Sequence, residues 1–178
     1  SESRNQFNPK FGVAWNIAPG TILRAAAFRV LKRTLITDQT LEPTEVAGFN
    51  QFYDDFPGTV SWRYGAGVDH KFTDTLFGGA EFSRRDLRIP LRIFSAETKR
   101  VKASEYLGHT YLLWAPHPWL AVSAEHFYEQ FRNDDLNAIH FKELDTHRVP
   151  VTLRFFYPSG FSASFRATAR PCSACRSA

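Results

Sequence analysis

Apolar and polar residues alternate one by one along most of this chain, most clearly at residues 59–72, which read TVSWRYGAGVDHKF. Even positions carry the apolar residues, with His70 as their one polar member, and odd positions carry polar residues and glycine. A period of two predicts a β-strand with one apolar and one polar face. Soluble β-barrels and membrane β-barrels both contain such strands, so the pattern leaves open what each face contacts.

The same alternation recurs along the chain and predicts eight strands with no convincing helix. The strands fall at 11–17, 21–30, 59–72, from residue 76 onward, 104–114, 119–131, 144–157 and 161–168. Short turns at 18–20, 73–75, 115–118 and 157–160 alternate strictly with long polar loops at 31–58, 88–103 and 132–143. This strict alternation of short and long connections predicts an all-β, antiparallel up-and-down meander with its short turns on one rim. Such a meander would form an outer-membrane β-barrel or an arc of a larger barrel. A soluble lipocalin-like barrel that binds a small apolar ligand is the alternative.

Aromatic residues make up 15% of the chain and are predicted to collect at the strand ends. Those beside the short turns are Phe72, Trp114, Trp119, Tyr157 and Phe161, and those toward the opposite ends are Trp62, Tyr64, Phe82, Tyr106, Tyr128 and Phe131. Two aromatic belts around a band of small and aliphatic residues are typical of membrane proteins. The distance from Trp62 to Phe72 is about 33 Å along a strand, or roughly 25 Å in height at a tilt of about 40°.

One segment departs from the common phase of the alternation. After Phe82 the apolar residues move from even to odd positions, at Leu87, Ile89, Leu91 and Ile93. A β-bulge at residues 84–86 would cause such a shift. The preferred interpretation is that the strand leaves the membrane there and its loop hairpin obeys other constraints.

Charged residues on the polar face are predicted to line a lumen. They are Arg63, Asp69, Glu81, Arg85, Glu125, Arg154 and Arg166. Because both signs are mixed, we expect mutual salt bridges in a wet interior and weak ion selectivity at best. The residues Val60, Trp62, Val122, Val151, Leu153, Phe161 and Phe165 are predicted to point to the opposite side.

No motif in the chain selects catalytic or metal-binding residues. Six histidines are scattered without a metal-ligand spacing, and His109 and His126, on adjacent predicted strands, lack an evident third ligand. No pattern singles out a Ser–His pair, so the expectation is no enzyme, no metal and no cofactor, with an outer-membrane hydrolase as a third hypothesis. The net charge of +4 comes without a basic block, so no nucleic-acid partner is expected.

The ends of the chain suggest a piece of a longer protein. There is no Met and no signal peptide, and the two cysteines, Cys172 and Cys175, lie in an off-pattern tail. We therefore expect barrel strands over 1–170, an unstructured tail over 171–178, and no ladder between 11–17 and 160–169. Edges left open in this way are prone to aggregation.

Two stretches resemble known outer-membrane barrels. Residues 8–29, NPKFGVAWNIAPGTILRAAAFR, followed by LEPTEV at 41–46, resemble late barrel strands of TonB-dependent receptors. The longer phrase LEPTEVAGFNQFYDD is similar to the barrel domain that follows tetratricopeptide repeats in some Gram-negative proteins. The resemblance implies a barrel in the Gram-negative outer membrane with a pore, uptake or secretion role. Its implied partners are outer-membrane lipid and the remaining strands or domains of the full-length protein. It transfers no catalytic or ligand residues.

Overall fold

The computed structural model describes residues 7–32, 45–50, 55–92, 98–133, 143–170 and 172–176, and all its regular elements are strands. The strands are β1 (Lys10–Ala18), β2 (Thr21–Leu31), β3 (Glu45–Val46), β4 (Phe49–Asn50), β5 (Val60–Lys71), β6 (Leu76–Arg92), β7 (Thr98–His117), β8 (Leu120–Asn133), β9 (Glu143–Phe156), β10 (Ser162–Ala169) and β11 (Cys172–Arg176). Within these residues, no helix is long and apolar enough to cross a membrane.

Eight strands form one antiparallel sheet in the order β1-β2-β5-β6-β7-β8-β9-β10. Apart from the inserted strands β3 and β4, each strand pairs with the strand that follows it in the sequence. This confirms the predicted meander, and the four short turns lie on one rim, here called the short-turn rim. Strands β3 and β4 form a separate two-stranded sheet inside the segment that was predicted to be a polar loop.

Strands β6 and β7 are longer than predicted. Residues 76–92 pair with 98–114 in one continuous register, so most of the predicted loop at 88–103 is strand. No register shift occurs along β6, so the bulge proposed at residues 84–86 is wrong. The strand continues through these residues with unchanged pairing. The apolar residues move from one face of the strand to the other.

Directly paired residues of an antiparallel sheet point to the same side, so the register defines two faces. One face, here called the polar face, carries the row Arg24, Gly67, Glu81, His109, Phe127 and Arg148. The other, here called the apolar face, carries the row Leu23, Val68, Ala80, Thr110 and His126.

The apolar face keeps its character over only part of each strand. Near the short-turn rim it presents rows such as Leu76, Trp114, Val122, Leu153 and Phe165. From Arg84 onward it presents a polar row instead: Arg84, Tyr106, Gln130 and Asp145. The polar face changes in the opposite sense, because Leu87, Ile89 and Ala103 are buried on it together with Phe131. Phe131 therefore lies on the opposite face from Tyr106 and Tyr128, and its predicted place in their aromatic belt is wrong.

The sheet does not close among the described residues. Strand β1 pairs with β2 and β10 pairs with β9, and no ladder joins β1 to β10, as predicted for 11–17 and 160–169. Residues 172–176, predicted to lack structure, instead form β11, which continues along β9 with Cys172 opposite Thr146.

Candidate functional site

The polar face holds a network of charged side chains centred on Asp69. Arg24 binds this carboxylate as a fork, with Nε donating to Oδ2 at 2.6 Å and Nη2 donating to Oδ1 at 3.3 Å. The Tyr111 hydroxyl donates to the same Oδ1 at 2.5 Å. Arg24 Nη2 also reaches Glu81 Oε2 at 3.4 Å. Arg24 lies directly opposite Gly67, where a Cβ would lie 3.1 Å from Glu81 Cβ and 3.5 Å from Arg24 Nη2.

His109 extends this network toward β8. Its Nε2 lies 3.1 Å from Glu125 Oε2, and its Nδ1 lies 3.7 Å from Glu81 Oε1. The imidazole also stacks on Phe127, with ring centroids 4.3 Å apart. Because the two carboxylates approach opposite ring nitrogens, they cannot share one ion with this imidazole. No group of three His, Cys, Asp or Glu side chains in the described part of the chain could hold a metal ion.

A second cluster surrounds Arg63 and Arg85, which lie directly opposite each other and are both buried. Arg63 donates from Nε and Nη2 to Ser83 Oγ at 3.2 and 2.9 Å. Arg85 donates to Glu105 Oε2 and to Asp55 Oδ2, each at 2.5 Å. The two carboxylates offset the repulsion between the neighbouring guanidinium groups, so the buried pair is tolerated.

The β3–β4 hairpin lies on the polar face between these two clusters. Phe49 is only 1% exposed, and the guanidinium carbons of Arg24 and Arg63 lie 5.6 and 5.5 Å from its ring centroid. Arg24 Nη1 donates to the Ala47 carbonyl at 3.2 Å, and Arg63 Nη1 donates to the Asn50 carbonyl. Two arginines thus bind the hairpin through both its backbone and its aromatic side chain.

Glycines in the sheet make room for the hairpin. A Cβ at Gly65 would lie 2.5 Å from Phe49 Cε1, and one at Gly12 would lie 2.7 Å from Val46 Cγ1. Both separations are too short for a side chain to be added without movement. The hairpin turn has φ of 49° at Ala47 and 88° at Gly48, as a two-residue turn with left-handed central residues requires.

All seven residues predicted to line a lumen share the polar face, although they do not form one cluster. Asp69, Glu81 and Glu125 belong to the network around Asp69, whereas Arg63 and Arg85 belong to the buried cluster. Arg154 and Arg166 are exposed on β9 and β10, close to the short-turn rim.

Sequence reasoning missed two members of the network, Arg24 and Tyr111, as well as the hairpin, and it considered His109 only as a partner of His126. The dipeptide Ala47-Gly48 between Val46 and Phe49 was the available signal for the hairpin. His109 and His126 lie on opposite faces because Thr110 is directly paired with His126. They therefore cannot bind a common ion.

The residues predicted to oppose the charges are exposed or half-buried. Val151, Phe161 and Phe165 are exposed, and Val60, Trp62, Val122 and Leu153 are half-buried. Two hydrogen bonds involve histidines among these apolar rows, between His126 Nε2 and His147 Nδ1 at 3.1 Å and between His70 Nδ1 and Thr21 Oγ1 at 2.7 Å. These polar groups thus satisfy one another.

No protein-family model, no curated protein and no solved structure matches this chain. The functional interpretation therefore rests on the geometry of the two faces.

Proposed function

We propose that this chain is an arc of a transmembrane β-barrel in the outer membrane of a Gram-negative bacterium, and that its polar face lines a water-filled path for transport or secretion. The observation that supports this most is the contrast between the faces. The apolar face exposes large side chains, for example Val13 at 58%, Phe82 at 52% and Phe165 at 65%. Most charges on the polar face pair with one another, for example Arg24 with Asp69 and Arg85 with Glu105, as expected for a wet interior.

The limited extent of the apolar band also supports a membrane. Toward the long-loop end the apolar face becomes charged at Arg84 and Asp86, which bind each other with 2.8 Å between Arg84 Nη2 and Asp86 Oδ1. Aromatic side chains lie near this boundary, where Phe82 stacks with Tyr106 and Trp62 stacks with Tyr64. A lipid-facing strand that emerges into water would show this order of residues, first apolar, then aromatic, then charged.

In this proposal the β3–β4 hairpin narrows the path. It rests on the polar face and is bound by Arg24 and Arg63, so it would lie inside the lumen instead of beyond its mouth. The half-buried charges of the Asp69 network would then line the remaining opening. A ring of mixed charges favours passage of hydrated polar solutes over selection of one ion sign.

Two other functions have less support. A soluble lipocalin-like barrel needs its apolar face inside a closed interior, whereas here that face is exposed and the described sheet is open. An outer-membrane hydrolase needs a serine activated by an imidazole. In the described ranges no serine hydroxyl is hydrogen-bonded to a histidine; His70, His109 and His126 have threonine, glutamate and histidine partners.

Tryptophan quenching by brominated lipid tests the proposal. The protein would be reconstituted into phosphatidylcholine vesicles with bromine on the acyl chains, as variants that retain only Trp15, which lies opposite Leu23, or only Trp114, which lies opposite Leu76. Both side chains lie on the apolar face, so we expect strong quenching relative to unbrominated vesicles. Equal fluorescence in the two kinds of vesicle would support the soluble alternative.

A further inference from the structure

The polar face changes character near the short-turn rim, where two large apolar side chains are uncovered. Phe77 on β6 is 40% exposed and Leu113 on β7, its direct partner, is 43% exposed. At the opposite end of the same face, apolar residues such as Phe28 and Leu87 are buried. The apolar surface at Phe77 and Leu113 is thus available to a ligand.

This surface is part of a hollow of about 180 Å³ that crosses β6 to β9. Its polar-face lining includes Phe77, Leu113, Ala121, Ser123, Thr152 and Arg154. The register explains the arrangement, because Leu113 lies opposite Ser123, Ser123 opposite Thr152, and Ala121 opposite Arg154. The small residues on β8 form the floor between an apolar wall and a cationic wall. The volume is below the range of about 300–1,000 Å³ for drug-sized ligands, which indicates a small one.

The charge at this hollow is one-sided. No carboxylate lines it in the described part of the chain, and Arg154 makes no ion pair there. Arg166, on the neighbouring strand, donates from Nε to Thr152 Oγ1 at 3.1 Å and likewise has no carboxylate partner among the described residues. The nearest carboxylates along the face, Asp69 and Glu125, are already bound by Arg24, Tyr111 and His109.

Lys71 lies directly opposite Phe77, with Nζ 5.8 Å from the centroid of its ring, but its charge is paired with a carboxylate. Lys71 Nζ lies 2.6 Å from Asp74 Oδ1 in the turn, and its hydrogen bond lowers the pKa of the Asp74 carboxyl. The uncompensated positive charge therefore lies on the β9 side alone, two strands from Leu113 and three strands from Phe77.

We infer that this hollow binds a small carboxylate with one ring or a short hydrocarbon chain. Its apolar body lies against Phe77 and Leu113, and its carboxylate accepts hydrogen bonds from Arg154. Ser123 lies between the two parts of the ligand and can donate to the same carboxylate. The site is independent of the membrane proposal, because equilibrium binding requires only that the sheet be folded.

Binding of benzoate and of its neutral analogue benzamide tests the inference. Each labelled compound would be dialysed to equilibrium against the folded protein in nonionic detergent, with detergent alone as the blank. We expect saturable benzoate binding that is tighter than benzamide binding. Arg154→Gln should weaken benzoate binding about tenfold or more, since hydrogen bonds to charged groups carry about 1.5–3 kcal/mol, and should leave benzamide binding unchanged.

Arg84→Gln is the control, because it removes another exposed arginine from the other face and should leave benzoate binding unchanged. Leu113→Ser should weaken the binding of both compounds. Absence of saturable benzoate binding to the unaltered protein would overturn the inference. Equal effects of Arg154→Gln and Arg84→Gln would overturn it as well, because they would show only a general charge effect.

Discussion

At the scale of single residues, Asp69 organises the polar face. Its carboxylate accepts three hydrogen bonds, from two nitrogens of Arg24 and from Tyr111. The side chains of Arg24 and Asp69 are only 17% and 26% exposed, so water competes weakly for these contacts. Removing the charge of Asp69 leaves the guanidinium with the more distant Glu81 as its carboxylate partner.

We therefore expect Asp69→Asn to lower the free energy of unfolding by about 1–3 kcal/mol, since the variant keeps the shape of the side chain and loses charge-assisted hydrogen bonds. Urea titration would measure the change. Glu129→Gln is the matched control, because Glu129 lies 3.8 Å from Arg148 and both are exposed. Glu129→Gln should lower the free energy of unfolding by only about 0–1 kcal/mol. A cost for Asp69→Asn no larger than that of the control would refute the central role of Asp69.

The face of each charged residue could be predicted from the sequence, but its partner could not. The period of two assigns Arg63, Glu81 and Arg166 to one side whatever the register. Partners depend on the register between strands, and the residues that bind Asp69 lie 45 and 42 positions away. Arg24 was therefore not recognisable as a site residue, because an arginine on a predicted strand carries no sign of its neighbour.

At the scale of elements, the β3–β4 hairpin is the feature that alternation does not reveal. Each of its strands has two residues, too few to establish a period. Its position comes from the room left by Gly12 and Gly65 and from the two arginines that bind it. The extension of β6 and β7 was missed for a different reason. The apolar residues changed face there, and a change of face was interpreted as the end of the strand.

A disulfide would test where the hairpin lies. A Cβ at Gly12 would be 3.1 Å from the Ala47 Cβ, close to the separation of about 3.5–4.5 Å in disulfides. A side chain at residue 12 would come within 2.7 Å of Val46 Cγ1, so the test uses a Val46→Ala background in which Cys172 and Cys175 are replaced by serine. In that background, Gly12→Cys combined with Ala47→Cys should form a disulfide on mild oxidation, detected by a mobility shift on non-reducing gels.

Val13→Cys combined with Ala47→Cys is the control for this experiment. Val13 neighbours Gly12 but belongs to the apolar face, so no disulfide should form. Equal cross-linking of both pairs would mean that the hairpin is not held on the polar face.

At the scale of the whole molecule, the open sheet has two long edges among its described strands. The residues of β10 are exposed throughout, as are those of β1 from Phe11 to Ala18, and each strand has a neighbour on one side only. An unpaired, apolar edge is a template for further strands. In a complete barrel other strands would cover both edges.

This chain alone should therefore self-associate in detergent, as measured by light scattering after size-exclusion chromatography. Phe165→Lys, which places a charge on edge strand β10, should reduce the associated fraction. Phe82→Lys makes the same change on the same face but in the middle of the sheet, and it should not reduce the associated fraction. A monodisperse monomer of the unaltered chain would show that the edges do not act as templates.

If the apolar face contacts lipid while the polar face contacts water, successive residues of β6 should alternate between the two environments. Single cysteines at residues 77–88 would be spin-labelled in lipid vesicles, with Cys172 and Cys175 replaced by serine. Collision with oxygen reports contact with lipid, and collision with a water-soluble nickel complex reports contact with water. We predict oxygen maxima at Ala80 and Phe82 and nickel maxima at Phe77 and Glu81. From Arg84 onward the oxygen maxima should disappear and even positions should become accessible to nickel. Nickel maxima at even positions before Arg84, or no alternation over 77–83, would contradict the account.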